Sequence, residues 1–252
     1  METLLYLIVF VVGLIVGSFL NCVIYRMEKG ESFLSGRSYC PHCRHKLGFL
    51  DLIPVVSFLF LSGKCRYCRE RISLQYPLVE LLTGFIFLLI FYFQFSLVQF
   101  FFLLAISALL IIVFVYDLKH YLIPDKVVYS AIVLTFIYLI FSTFRLDHLW
   151  SALALAGFFL AIVLISREKW MGMGDVKLGF LMGLLLGWPD VIAALFLAVF
   201  IGAIIGIGLI IMGKKGMKSE VPFGPFLVTG TFIALFWADE LINWYFNFFG
   251  YL

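Results

Sequence analysis

The chain has 252 residues, of which 64% are hydrophobic, 19% aromatic and only 13% charged. That much apolar side chain exceeds what a soluble globule can cover with polar surface, which excludes a water-soluble domain and leaves a membrane-embedded one. The net charge of +3 comes from Lys and Arg dispersed over several loops rather than gathered into an aromatic-laced patch, so the chain carries no footprint for nucleic acid.

Crossing about 30 Å of hydrocarbon takes roughly 20 apolar residues in a helix. Runs that approach this occur near 3–25, 77–95, 98–116, 127–144, 149–166, 176–188, 190–212 and 226–247. They predict an all-α polytopic membrane protein with about eight transmembrane helices. The sixth run is short and carries glycines throughout, as a tilted or half-buried helix would. The first has Glu2 but no Lys or Arg ahead of it and continues without a small-x-small cleavage site, which reads as an uncleaved anchor. Every Lys and Arg except Arg145 falls in 26–76, 117–126, 167–177 or 213–220. The positive-inside rule makes those loops cytoplasmic and, with eight spans, puts both termini outside. The chain thus divides into a first span (1–25), a cytoplasmic segment (26–76) and a membrane bundle (77–252) with no repeat of the kind two-fold transporters carry.

At the end of the first span stand Asn21 and Cys22. The cysteine reads as a buried thiol, whereas the amide needs hydrogen-bond partners from neighbouring helices or from a ligand. The segment that follows is too small to bury much core and calls for a staple. Cys40-Pro-His-Cys43 and Cys65-Arg-Tyr-Cys68 supply one. Each pair can wrap one face of a cation, and four thiolates complete the tetrahedron of a closed, structural zinc site. Two disulfides are the rival, disfavoured in a reducing cytoplasm. His42 and His45 are substitute ligands for which a full cysteine set leaves no vacancy.

Two aspartates lie at the lips of apolar runs, Asp117 at the end of the third and Asp175, in Gly172-Met-Gly174-Asp175, at the start of the sixth. A carboxylate at membrane depth costs several kcal/mol or more by most estimates, and a chain that keeps one usually uses it. On the predicted topology both sit at the same face. Two carboxyls a few ångströms apart cannot both ionise, so one serves as base and the other as acid toward a water. The bland alternatives are an N-cap for Asp175 and an interfacial charge pairing with Lys119 for Asp117, although a negative charge at a helix C-terminus opposes the dipole. Asp125, after Pro124, reads as a cap of the fourth span. The four-residue spacing of Gly179, Gly183 and Gly187, and of Gly202 and Gly206, reads as close helix packing.

Taken in order, Gly17-Ser-Phe-Leu-Asn21, the two CxxC pairs with Gly63-Lys64 before the third cysteine, Gln75-Tyr-Pro-Leu-Val-Glu80, Asp117 through Ile123-Pro124-Asp125, Gly172-Met-Gly-Asp175-Val-Lys177 and Pro222-Phe-Gly224-Pro225 cover almost the whole chain. This set resembles the type IV prepilin peptidases, bifunctional enzymes of the bacterial inner membrane. The resemblance implies that Asp117 and Asp175 form the catalytic dyad of a GxGD-type aspartyl peptidase, which cuts prepilin or pseudopilin leaders after a glycine. It also implies that the cytoplasmic segment serves an S-adenosylmethionine-dependent methylation of the new amino terminus, with Asn21, Gly63, Lys64 and Glu80 as candidate residues. The Pro222–Pro225 segment either lines a substrate groove or simply starts the last helix. A reading of another class remains, a zinc-stabilised scaffold or transporter whose aspartates cap helices or carry protons.

Overall fold

A computed structural model describes residues 2–32, 36–142, 145–213, 221–248 and 250. Lys214, Lys215 and Lys218 of the basic 213–220 loop lie outside the described residues. Within the described residues the chain is helical, with two isolated β-bridges and no strand. The order is α1 (Glu2–Lys29), a 3₁₀ turn (Phe49–Asp51), α2 (Val56–Phe60), α3 (Gln75–Tyr92), α4 (Leu97–His120), α5 (Asp125–Phe141), α6 (Leu146–Ser166), α7 (Met173–Leu186), α8 (Asp190–Ile211) and α9 (Gly224–Phe248). In hydrocarbon a helix satisfies its own backbone polar groups, so an apolar run has no better solution. Six helices, α1, α3, α4, α6, α8 and α9, are long and apolar enough to cross a membrane. The chain is a multi-pass membrane protein. α5, with 17 residues, and α7, with 14, fall short of the usual length, so a count of eight crossings does not follow from helix length alone.

The chain forms two compact units, Met1–Ile112 and Val113–Leu252, with the boundary inside α4. In the first unit α1 and α3 run antiparallel, since Gly13 faces Gly84, Gly17 faces Glu80 and Asn21 reaches Tyr76. A Cβ on Gly13 would stand 2.7 Å from the Gly84 Cα, and one on Gly17 2.7 Å from the Glu80 Cα, so the two backbones touch.

The second unit repeats this device twice. Gly183 packs on the backbone of Ala152, Gly179 on Phe159 and Gly187 on His148, which makes α6 and α7 antiparallel. Gly230 packs on Ala194 and Ala198 and Gly202 on Phe226, which does the same for α8 and α9. Gly206 has nothing within 4 Å, so the second predicted glycine ridge is half a contact surface. Short α7 is the middle of this unit, touching α5, α6, α8 and α9 and burying Leu178, Leu181, Met182 and Leu184. Gly187, at φ 75°, ends it in a conformation that a side chain would strain. α9 is broken at Trp237, whose φ and ψ of −136° and 17° leave the helical region.

Candidate active site and metal centre

Asp117 occupies the last turn of α4 and is 4% exposed. A buried carboxylate needs donors, and the backbone N–H of Gly224 supplies one. The approach is close enough that a Cβ on Gly224 would stand 2.5 Å from Asp117 Oδ2. Pro222 and Pro225 flank this glycine where α9 begins, so the segment is a helix start and also the cradle of Asp117. Sequence reasoning left these residues as either groove lining or a helix start and missed their carboxylate partner.

Asp175 lies in the first turn of α7, which begins at Met173, earlier than the predicted 176. Its Oδ2 accepts a hydrogen bond from the Gly172 N–H at 3.2 Å, so it caps the backbone from inside the helix. Capping occupies one oxygen of a half-buried carboxylate. The charge of Asp117 acts on Asp175, so helices distant in sequence bring the two groups together. Ile123 was not singled out as a site residue, yet it sits against both supporting glycines. Its Cβ would be 2.9 Å from a Cβ on Gly174, and its Cδ1 3.3 Å from one on Gly224. Glycine is therefore demanded here by space beside the carboxylates.

Asp125 does not cap α5. The N-cap is Pro124, without a side-chain cap, and the Asp125 carboxylate instead accepts from Lys177 Nζ at 2.7 Å while that ammonium lies over the Tyr129 ring. The start of α5 is thereby tied to the turn of α7 that bears Asp175.

Cys40, Cys43, Cys65 and Cys68 converge, with one ligand atom from each lying within 4.8 Å of every other. Bonds of about 2.3 Å to a tetrahedral zinc require sulfur atoms about 3.8 Å apart. Cys40 Sγ and Cys68 Sγ stand at 3.9 Å, so the quartet fits the ion. The two pairs are built alike. In each, the first cysteine N–H donates to the carbonyl five residues on, His45 or Glu70, and its carbonyl accepts from Arg44 or Arg69, both at positive φ. Bridges Tyr39 to Lys46 and Lys64 to Arg71 close the two turns. Burial pushes the Cys40 thiol up. Burial acts on Cys65 in the same sense, but the N–H groups of Cys68 and Tyr67 draw it down to about 7. The rings of His45 and Tyr67 stack across the turns with centroids 3.6 Å apart, so His45 packs against the site.

The remaining candidates also fall in the first unit. Asn21 Nδ2 donates to the Tyr76 carbonyl at 3.0 Å, and its Oδ1 accepts from Gln75 Nε2 at 3.3 Å, so both ends of the buried amide hold the start of α3. Glu80, 6% exposed, accepts from the Val55 N–H at 2.7 Å. Gly63, at φ 68°, packs on Phe58 and leads into exposed Lys64. Asn21 and Glu80 thus secure the segment in which Gly63 and Lys64 stand.

Residues 11–94 match the bacterial peptidase A24 N-terminal domain, and residues 103–207 match the type IV leader peptidase family. The chain is 37% identical over 242 residues to the prepilin leader peptidase/N-methyltransferase of Bacillus subtilis (strain 168), across 94% of this chain and 96% of that protein. It is 34% identical to the protein of that name from Legionella pneumophila and 31% identical to the one from Aeromonas hydrophila, each match covering 96% of this chain and 94% of the relative. No solved structure gives a significant match. With its length shared almost end to end with these relatives, the chain belongs to the type IV leader peptidase family.

Proposed function

We propose that the chain is a prepilin leader peptidase and N-methyltransferase: it cleaves prepilin or pseudopilin leaders after a glycine and methylates the amino terminus so released. The observation that carries the peptidase half is that buried Asp117 and half-buried Asp175 stand in one helical unit, with the charge of Asp117 reaching Asp175 and Ile123 packed against the glycine beside each. Water held between them attacks the scissile carbonyl. One carboxylate takes the water proton, and the other, protonated, gives its proton to the leaving amine as the carbon–nitrogen bond breaks. The Gly224 N–H holds Asp117, and Gly172 holds Asp175, so neither carboxyl has to be ordered when substrate arrives.

Residues 26–76 are the methyltransferase-associated part, with 1–25 as the first span and 77–252 as the peptidase bundle. Cys40, Cys43, Cys65 and Cys68 would hold a zinc ion that ties the two turns together and, with four thiolates, leaves no position for substrate. When bound, S-adenosylmethionine would be the methyl donor: the neutral terminal amine would take the methyl group as the methyl–sulfonium bond breaks, leaving S-adenosylhomocysteine, and the amine would then shed a proton. Exposed Lys64 is the cation we assign to the carboxylate of that donor, with Gly63 shaping the turn and Asn21 and Glu80 positioning it. We read the zinc segment and both aspartates as cytoplasmic and the termini as outside, a reading that the loop charges support, so that a basic prepilin leader would meet the dyad from the cytoplasm.

The test is mass spectrometry of the amino terminus of a co-expressed prepilin. Wild type should yield the shortened product bearing one methyl group, while Asp117→Asn and Asp175→Asn should each leave the leader intact. Cleavage persisting in either folded variant removes that aspartate from the mechanism.

A further inference from the structure

Between the two cysteine turns the chain carries no charged residue from Leu52 to Gly63. In the first unit this stretch and the 3₁₀ turn before it present large apolar side chains outward: Phe49 is 82% exposed, Leu50 62%, Leu59 68% and Phe60 86%. A soluble loop would turn such groups inward and leave its acid outside. Here the reverse holds. The side chain of Asp51 is 5% exposed and accepts from the Gly48 N–H at 3.0 Å, Arg66 Nε at 2.7 Å and the Tyr67 hydroxyl at 3.3 Å. Burial resists its ionisation, but those donors hold the carboxyl below its usual range, so its charge is matched within the protein.

The height of this face relative to α3 is fixed by one bond. Val55 donates to Glu80, and Glu80 lies in the second turn of α3, roughly 7 Å beyond the start of that helix. α3 is long and apolar enough to cross a membrane. A backbone group held to its second turn stands at the membrane boundary, at the end of α3 where Leu74, its N-cap, and Leu78 face outward. The cysteine turns that flank this stretch in sequence expose Arg44, Lys46, Lys64, Arg69 and Arg71 together with Glu70, an excess of cations. An apolar face flanked by cations is the signature of a segment lying in a bilayer interface with anionic headgroups.

We propose that residues 49–60 are an interfacial element seated in the same bilayer that α1 and α3 cross, with Phe49, Leu50, Leu59 and Phe60 among the lipid chains and the cations of the cysteine turns at the headgroups. The segment between the first two spans is then a membrane-seated platform, and Gly63 and Lys64 open at the headgroup level.

Full-length protein in nanodiscs of phosphatidylethanolamine and phosphatidylglycerol tests this, with photoreactive benzoylphenylalanine replacing Phe60 or Leu50. The same substitution at outward-facing Leu78 of α3 reports a correctly inserted protein, and at exposed Glu31, past the end of α1, a water-facing site. After illumination, mass spectrometry should find lipid adducts at positions 60 and 50 comparable with those at 78 and several-fold above those at 31. Adducts at 78 without adducts at 60 and 50 would overturn the proposal. So would cross-links from position 60 to a second copy of the chain in place of lipid, since the face would then be a protein interface.

Discussion

Asp117 has a neighbour that no substitution can enlarge without disturbing it. A methyl group on Gly224 would come within 2.5 Å of Asp117 Oδ2, and either the start of α9 or the carboxylate has to move. Displacing a reacting group by an ångström costs catalysis on the order of a hundredfold. Gly224→Ala should therefore lower the rate of leader cleavage by about that factor, measured on purified protein with a prepilin peptide, while thermal unfolding of the variant changes little. Equal rates in the two proteins would show that the cradle is dispensable. The aspartates themselves were legible in sequence because ionisable groups beside apolar runs are rare. Gly224 was not, since its partner lies more than a hundred residues upstream in chain order and only folding brings them together. Asp125 was misread for a related reason: an acid after proline at a helix start looks like a cap until Lys177 is brought beside it.

At the scale of the helix, three antiparallel pairs share one device, a glycine placed where two backbones touch. Gly183 and Gly206 both stand in apolar helices with glycines at four-residue spacing, yet a Cβ on the first would meet Ala152 backbone atoms at 2.6 Å and one on the second would meet nothing within 4 Å. Gly183→Val should destabilise the protein by about 1–3 kcal/mol, as overpacking does, whereas Gly206→Ala should be neutral or better for its helix. Thermal unfolding in detergent distinguishes them, and equal shifts would refute the pairing of α6 with α7. Periodicity flags both glycines because small residues recur at helix spacing, but it carries no information about what each ridge faces. The bounds of the apolar helices were read within a few residues because runs of apolar side chains announce themselves, though six rather than eight of them have the length and apolarity of a span, and the two CxxC spacings foretold the sulfur cluster. The tie from Glu80 to Val55, and the apolar face it holds, depend on a loop folding back on a helix and left no local pattern.

Taken whole, the molecule keeps the four clustered thiols in one compact unit and Asp117 and Asp175 in the other. Cys43→Ser combined with Cys68→Ser should abolish a stoichiometric zinc, counted by elemental analysis, and with it methylation, while leader cleavage survives. Loss of cleavage in a protein that stays folded would contradict this separation. Because Cys40 holds its proton above the usual thiol range and Cys65 releases its own only near pH 7, binding the ion displaces protons. Zinc affinity should accordingly fall as the pH is lowered through about 7, which competition with a chromogenic chelator measures. α7 carries one more consequence. Its 14 residues rise about 21 Å, roughly 9 Å less than the hydrocarbon is thick. Exposed Trp188, just past its far end, is the aromatic type that marks a membrane boundary; with Trp188 at that boundary the shortfall would lie at the Asp175 end, where Gly172 is exposed. A hydrolase that works beside lipid needs a route for its second substrate, and a helix this short would leave its carboxylate nearer to water than a full-length span could.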